Sequence, residues 1–153
     1  MKLRIEIDPD APEEIIIRAS RMSETVMRVQ DAVLSALGQG GSIAVKHGES
    51  EIYLPFDELL FFETDGDKTI VHTASDCFFC KQRLGELSLS LPRNFVRASK
   101  SCLINTAKIR SISRTPTGVG TAYFAGSEKK AFISRMYYKT VREVIEQTRL
   151  NFN

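Results

Sequence analysis

Tryptophan is absent from this chain, histidine occurs twice and cysteine three times. No stretch approaches the roughly 18 consecutive apolar residues that a membrane-spanning helix needs. Each scarcity excludes something. The opening MKLRIEIDPD alternates in polarity and carries acids, where a secretory signal needs a continuous apolar core. The chain is therefore expected in the cytoplasm. Cys77, Cys80 and Cys102 are an odd number and sit inside apolar runs, which argues against a secreted disulfide framework. Cys77-Phe78-Phe79-Cys80 has CxxC spacing, but zinc would need two more soft ligands, and only Cys102, His47 and His72 remain. Residues three apart on a strand also face opposite ways, so the two sulfurs do not share one metal. Neither histidine lies in a nucleophile signature. Gly118-x-Gly120 lacks the third glycine and the following helix of a phosphate cradle. These residues predict no enzyme, no metal and no cofactor.

Acids, too, are missing from one long region. The formal net charge is only +2, and residues 1–40 hold five basic against seven acidic side chains. Between Glu86 and Glu128 there is no acid at all, while Arg93, Arg97, Lys100, Lys108, Arg110 and Arg114 all fall there. A second acid-free run, 129–142, adds Lys129, Lys130, Arg135, Lys139 and Arg142. Two such windows concentrate positive potential that the total conceals. Arg97, Ser99, Lys100, Ser101, Asn105 and Lys108 crowd into twelve residues around Cys102, Leu103 and Ile104. Cations neutralise phosphate, and Ser and Asn supply short directional hydrogen bonds, so this mixture suits nucleic acid. A solvated loop face can have the same composition.

The periodicity is mostly that of strands. Leu3, Ile5 and Ile7 alternate with Lys2, Arg4 and Glu6 and predict a half-buried strand over 2–8. A turn at Asp8-Pro9-Asp10 precedes a second, β-branched strand at Ile15–Ile17. From Met22 to Leu37 the period becomes helical, with Val26, Val29, Val33 and Leu37 on one face. Ser20 or Ser23 caps its start, and Gly38 marks its stop. Gln39-Gly40-Gly41-Ser42 reads as a linker. Strands follow near 42–46, 51–55, 59–64, 69–73 and 77–81, with a turn at Asp65-Gly66-Asp67. A short helix covers 82–89 and Pro92 ends it. Further strands are expected near 95–97, 109–114, 121–125 and 130–133. Ser134 is the expected N-cap of a last helix, through about Arg149, whose inner face is Tyr137, Val141, Val144, Ile145 and Thr148.

Three ordered segments resemble a known family. Leu54-Pro55-Phe56-Asp57-Glu58-Leu59-Leu60-Phe61-Phe62-Glu63 has its apolar turn leading into a strand that ends in Glu. Phe95-Val96-Arg97-Ala98-Ser99-Lys100-Ser101-Cys102-Leu103-Ile104-Asn105, with Ile109 after it, resembles the pattern Phe-x-Arg-x-His-[Arg/Asn/Lys]-Ser-x-[Leu/Phe]-[Val/Ile]-Asn. Ser99 stands where that pattern has His. Ile133-Ser134-Arg135 resembles the hydrophobic-Ser-Arg that opens the last helix. Over about residues 42–149 the chain is thus similar to LytTR-type DNA-binding domains, as a stand-alone transcription regulator.

The resemblance implies a mainly β (α+β) fold, with about ten short strands in small sheets and a C-terminal helix. It implies loops entering successive major grooves of double-stranded DNA. By motif position, base contacts fall to the Asp65–Lys68 turn, with Lys68 the best placed, to Lys100 and to Arg135. Arg97, Ser99, Ser101, Asn105, Lys108 and Ser134 would contact the backbone or shape the loops. Arg135 suits guanine, because its fork matches O6 and N7.

Residues 1–40, a strand-strand-helix appendage, are too few for the receiver domain that commonly precedes this module, so no phosphoaspartate input is expected. This acidic appendage is expected to pack on the β module or to form a homodimer, with Ile15–Ile17 pairing across a dimer edge. Regulators of this kind are often controlled by a membrane partner. Two other readings remain open: a protein-interaction module whose basic face meets an acidic partner, and a single-stranded RNA binder. The latter usually exposes paired aromatics on a sheet. Phe61-Phe62 and Phe78-Phe79 are the candidates, but neighbours on a strand face oppositely, so at least one of each pair belongs to the core.

Overall fold

From Ser42 onward the chain is a β structure of ten short strands. The computed structural model describes residues 1–37 and 40–149, without the side chains of residues 35, 148 and 149. The expected helix stop at Gly38 and the linker residue Gln39 lie outside the described residues. The elements run α1 (Glu24–Ala36), β1 (Ser42–His47), β2 (Ser50–Pro55), β3 (Phe61–Asp65), β4 (Lys68–His72), β5 (Cys77–Cys80) and α2 (Leu84–Ser90). They continue as β6 (Phe95–Ser99), β7 (Cys102–Asn105), β8 (Ile109–Arg114), β9 (Gly120–Phe124), β10 (Lys130–Ile133) and α3 (Tyr138–Arg149). Seven strands form one sheet in the order β2-β1-β5-β4-β3-β7-β6, and three form another, β10-β9-β8. Every pairing is antiparallel.

Two cores share one wall. The larger sheet buries Ile43, Val45, Phe62, Val71, Phe95 and Leu103 against Leu84 and Leu87 of α2. On its other side, Phe61, Cys102 and Ile104 meet Ile109, Ala122, Phe124 and Ile133 of the smaller sheet, with Val141 of α3. Because strand neighbours point to opposite faces, the Phe61-Phe62 pair sends one ring into each core. Phe61 stacks on Phe124 at 5.5 Å, and Phe62 meets Phe95 edge-on at 6.1 Å. Of the second pair, Phe78 packs at the edge of the α2 core while Phe79 remains 57% exposed.

The two sheets are also tied by polar contacts. His72 Nε2 lies 2.7 Å from Glu63 Oε1, and its Nδ1 lies 3.2 Å from Lys129 Nζ. An ammonium can only donate, so Nδ1 accepts and the Nε2–H donates to the carboxylate. Ser127 Oγ adds a bond to Ala74 O at 2.7 Å across the same seam.

Three expectations are corrected. No strand forms over 2–8 or at Ile15–Ile17, and Leu3, Ile5 and Ile7 are 90%, 76% and 90% exposed. Alternation gives a segment a face, but a strand also needs a neighbour for its backbone groups, and neither segment has one. Second, Cys102–Asn105 is a strand, although the sequence read as part of a basic loop; β3 and β6 pair with it on both sides. Third, Ser134 does not cap the last helix. Its N–H donates to Ala98 O at 2.8 Å, a bond from the end of β10 to β6 of the other sheet, and one separate turn, Tyr137 N to Ser134 O at 3.1 Å, precedes α3. At α1 it is Ser23, not Ser20, that accepts from Val26 N at 3.2 Å. That helix buries Val26, and Arg28 Nη1 donates to Gln147 O of α3 at 3.1 Å.

The shared wall gives a simple contrast. Phe62→Ala should destabilise the protein by about 3–5 kcal/mol, since a fully buried ring leaves a cavity. Phe79→Ala should cost under about 1 kcal/mol, because the ring is exposed and contributes mainly a cation–π contact. Urea midpoints measured at unchanged slope decide it, and equal losses would contradict the burial described.

Candidate nucleic-acid interface

Three turns meet at one end of the β structure. The β3–β4 hairpin tip, Asp65–Lys68, lies beside the β6–β7 turn because Thr64 N donates to Ser101 O at 3.0 Å. The Ser134–Arg135 turn is held to the same place by the bond from Ser134 N to Ala98 O. The structure therefore brings together Lys68, Lys100 and Arg135, and all three are exposed. Lys68 Nζ stands 5.0 Å over the Phe79 ring, which orients the hairpin cation without an ion pair.

The β6–β7 turn is fixed from within. Arg97 Nη1 donates to Lys100 O at 2.7 Å, so this guanidinium shapes the turn that presents Lys100. Ser99 Oγ accepts from Ser101 N at 3.2 Å, a side chain mimicking a backbone turn. A register shift between Arg97 and Ser99 leaves Ala98 as an extra, fully buried residue. Such a bulge bends the strand and re-aims the turn residues beyond it.

Other sequence candidates fall elsewhere. Asn105 is 1% exposed and wholly engaged: Nδ2 donates to Leu59 O at 2.7 Å, while Oδ1 accepts from Ala107 N at 3.0 Å and Asn94 Nδ2 at 2.6 Å. It shapes the loop and reaches no surface. Lys108 lies beyond the far end of β7, in a groove of about 380 Å³ that also contains Asp57, Glu58 and Asp76. It is not brought to the Lys100 turn. The Ser134 hydroxyl is turned inward, the one buried side-chain polar atom without a partner among the described residues.

Sequence reasoning located the strands of the β8–β9 hairpin but missed that it carries Arg114 to this end. Arg114 lies with its guanidinium carbon 4.7 Å over the Tyr138 ring, at the end of the sheet where Arg135 emerges. A methyl group at Gly118 would stand 2.8 Å from Cγ and Cδ of Arg135. The Gly118 and Gly120 pair reads as a hairpin turn, but nothing in the sequence sets it against residue 135.

With this geometry in place, the comparisons are specific. The family model described as LytTr DNA-binding domain matches residues 49–146. Uncharacterized HTH-type transcriptional regulators of Staphylococcus aureus, from strain NCTC 8325 / PS 47 and strain COL, are each 28% identical over 145 residues, covering 94% of this chain and 97% of theirs. The solved LytTr DNA-binding domain of a protein named as a methyl-accepting/DNA response regulator from Bacillus cereus matches with a TM-score of 0.63 at 21% identity, covering 69% of this chain and 96% of that one. That likeness shows the fold. The relatives' names contain HTH, a helix-turn-helix; here strands separate each of the described α-helices from the next.

The cysteines report on this end of the molecule. Cys102 starts β7 directly behind the Lys100 turn. Burial pushes its thiol up to about 12, the Glu63 carboxylate adds to the rise, and the Arg97 guanidinium partly offsets it. Burial also raises Cys80, whose Sγ donates to Gln82 Oε1 at 3.0 Å, whereas Cys77 is exposed. The thiolate is the nucleophile, so a raised thiol stays protonated and inert at neutral pH. Native protein at pH 8 should therefore titrate one thiol, Cys77, and all three only after denaturation. Rapid native labelling of Cys102 would contradict the packing behind the turn.

Proposed function

Because this chain belongs to the LytTr DNA-binding domain family, we propose that it is a transcription regulator that reads a specific duplex sequence through Lys68, Lys100 and Arg135 in the major groove. The observation that carries this reading is the convergence of the three cation-bearing turns, joined by the bonds from Thr64 N to Ser101 O and from Ser134 N to Ala98 O. Arg135 offers a bidentate fork to guanine, while Lys100 and Lys68 are point donors to base acceptors or phosphate. Arg97, Ser99 and Ser101 hold the middle turn in shape. Asn105 and Ser134 act from inside the fold, and Lys108 takes no part.

In this reading, residues 42–153 are the DNA-binding module and residues 1–40 an appendage for self-association. The support for the second role is the exposed apolar row Leu3, Ile5 and Ile7 together with Ile15 and Ile16, which finds no partner within one described chain. The protein works by binding rather than catalysis, in the cytoplasm, and a membrane-anchored regulatory protein is the input we propose from the resemblance. No helix among the described residues is long and apolar enough to cross a membrane itself.

Enrichment of duplexes from a random pool, followed by gel shift, tests the reading. Arg135→Ala and Lys100→Ala should each weaken binding to the selected duplex by on the order of 1–3 kcal/mol. Log affinity should fall steeply and linearly with log salt, as phosphate contact requires. No enrichment over random DNA, or no loss in either variant, would sink it. Light scattering after size exclusion tests the appendage: a dimer is expected, reverting to monomer on Ile5→Asp/Ile7→Asp, and a strict monomer at high micromolar concentration removes that role.

A further inference from the structure

The β8–β9 hairpin carries a cation that the three-turn reading leaves unused. Arg114 is exposed at the end of β8, and its guanidinium carbon lies 4.7 Å over the ring of Tyr138, the buried first residue of α3. A methyl group at Gly118 would be 2.8 Å from Cγ and Cδ of Arg135 and 3.5 Å from Nη2 of Arg114. Both arginine side chains therefore rest against the same glycine. That glycine is buried and has φ +94°, a conformation other residues rarely adopt. Gly120, two residues on, leaves room for the Tyr138 ring, which would stand 2.6 Å from an added methyl.

Neither arginine has a carboxylate partner among the described residues. The 41 residues between Glu86 and Glu128, which include the whole hairpin, supply none. Two like charges held side by side on an exposed surface repel each other, and the arrangement is relieved when an anion sits between or above them. Stacking on a tyrosine fixes one guanidinium while leaving its N–H edges free. A fixed, unpaired guanidinium next to a base-reading arginine suits a phosphate oxygen of the same duplex.

We propose that Arg114 is a fourth DNA contact, a sequence-independent phosphate clamp beside Arg135, with Gly118 leaving the room that both side chains occupy. The proposal rests on the assignment of Arg135 above, and the test separates the two. Affinity is measured by gel shift for the selected duplex and for a random-sequence duplex across a salt series. Arg114→Ala should weaken both duplexes by the same factor, about tenfold near 0.1 M salt, and should reduce the salt slope by about 1. Arg114→Lys should restore the slope, because a point charge suffices for phosphate. Arg135→Ala should instead lose the selected duplex preferentially. Gly118→Ala, which drives a methyl into the Arg135 stem, should reproduce the Arg135→Ala pattern with both arginines present.

If Arg114→Ala leaves the slope unchanged while Arg135→Ala loses preference, the clamp is refuted and the Arg135 assignment stands. If Arg135→Ala loses no preference, that assignment fails whatever Arg114 does. A slope lost equally in Arg114→Ala and Arg114→Lys, with both variants melting as the parent does, also overturns the clamp, since charge at 114 would then not be what acts.

Discussion

The four residues of β7 constrain everything at the DNA-facing end. Cys102, Leu103, Ile104 and Asn105 are all buried; the first three alternate between the two cores and have strands paired with them on both sides. A strand buried on both faces cannot shift register without moving apolar side chains to the wrong layer. Asn105 locks its far end, and removing that amide would leave the buried Leu59 O unpaired, a cost of about 1–3 kcal/mol. The Lys100 turn is thus the exposed end of a rigid rod. The hairpin bearing Lys68 and the turn bearing Arg135 are bonded to the backbone around it.

Charge is sorted only locally. Lys68, Lys100, Arg114 and Arg135 emerge at one end, with Asp65 and Asp67 on the same hairpin tip as Lys68, while Asp57, Glu58 and Asp76 share the groove near the other end with Lys108. The turns bearing Lys100 and Arg135 carry no acid, so the potential there is positive although the total charge is only +2. The polar seam around His72 ties the smaller sheet to the larger near the groove end, well away from the side chains proposed to meet DNA. The two sheets, and with them the two arginines of the smaller one, keep a fixed relation to Lys100.

Much of this was legible in the chain. The sequence pattern located the strands of both sheets except β7 to within a few residues, and the Phe61-Phe62 pair required at least one ring in a core, where the structure buries both. The acid-free windows contain Lys100, Arg114 and Arg135 of the cation-bearing end, but also Lys108 and Lys129 of the other, and not Lys68. Where the reading failed, a long-range partner decided the outcome. Cys102–Asn105 looks like loop because its flanks are basic and hydroxylated, yet β3 and β6 supply both ladders. Lys2–Asp8 looks like strand because it alternates, yet no ladder is offered. Ser134 has the composition of a cap but is recruited by Ala98 O, 36 residues away in the chain. Arg114 and Arg135 are neighbours only through Gly118 and Tyr138, and no spacing rule connects residues across two hairpin arms and a helix start.

The side chains of Lys68, Lys100 and Arg135 project from turns whose backbone is held by other groups: Thr64 N on Ser101 O, the Arg97 guanidinium on Lys100 O, Ser99 Oγ on Ser101 N, and Ser134 N on Ala98 O. None of the three cations is itself buried or needed to close a ladder. Identity at those positions can therefore drift while the frame stays constant. Such a division of labour lets duplicated copies of one regulator diverge toward separate target sites, one exposed residue at a time, with little loss of folding stability along the way.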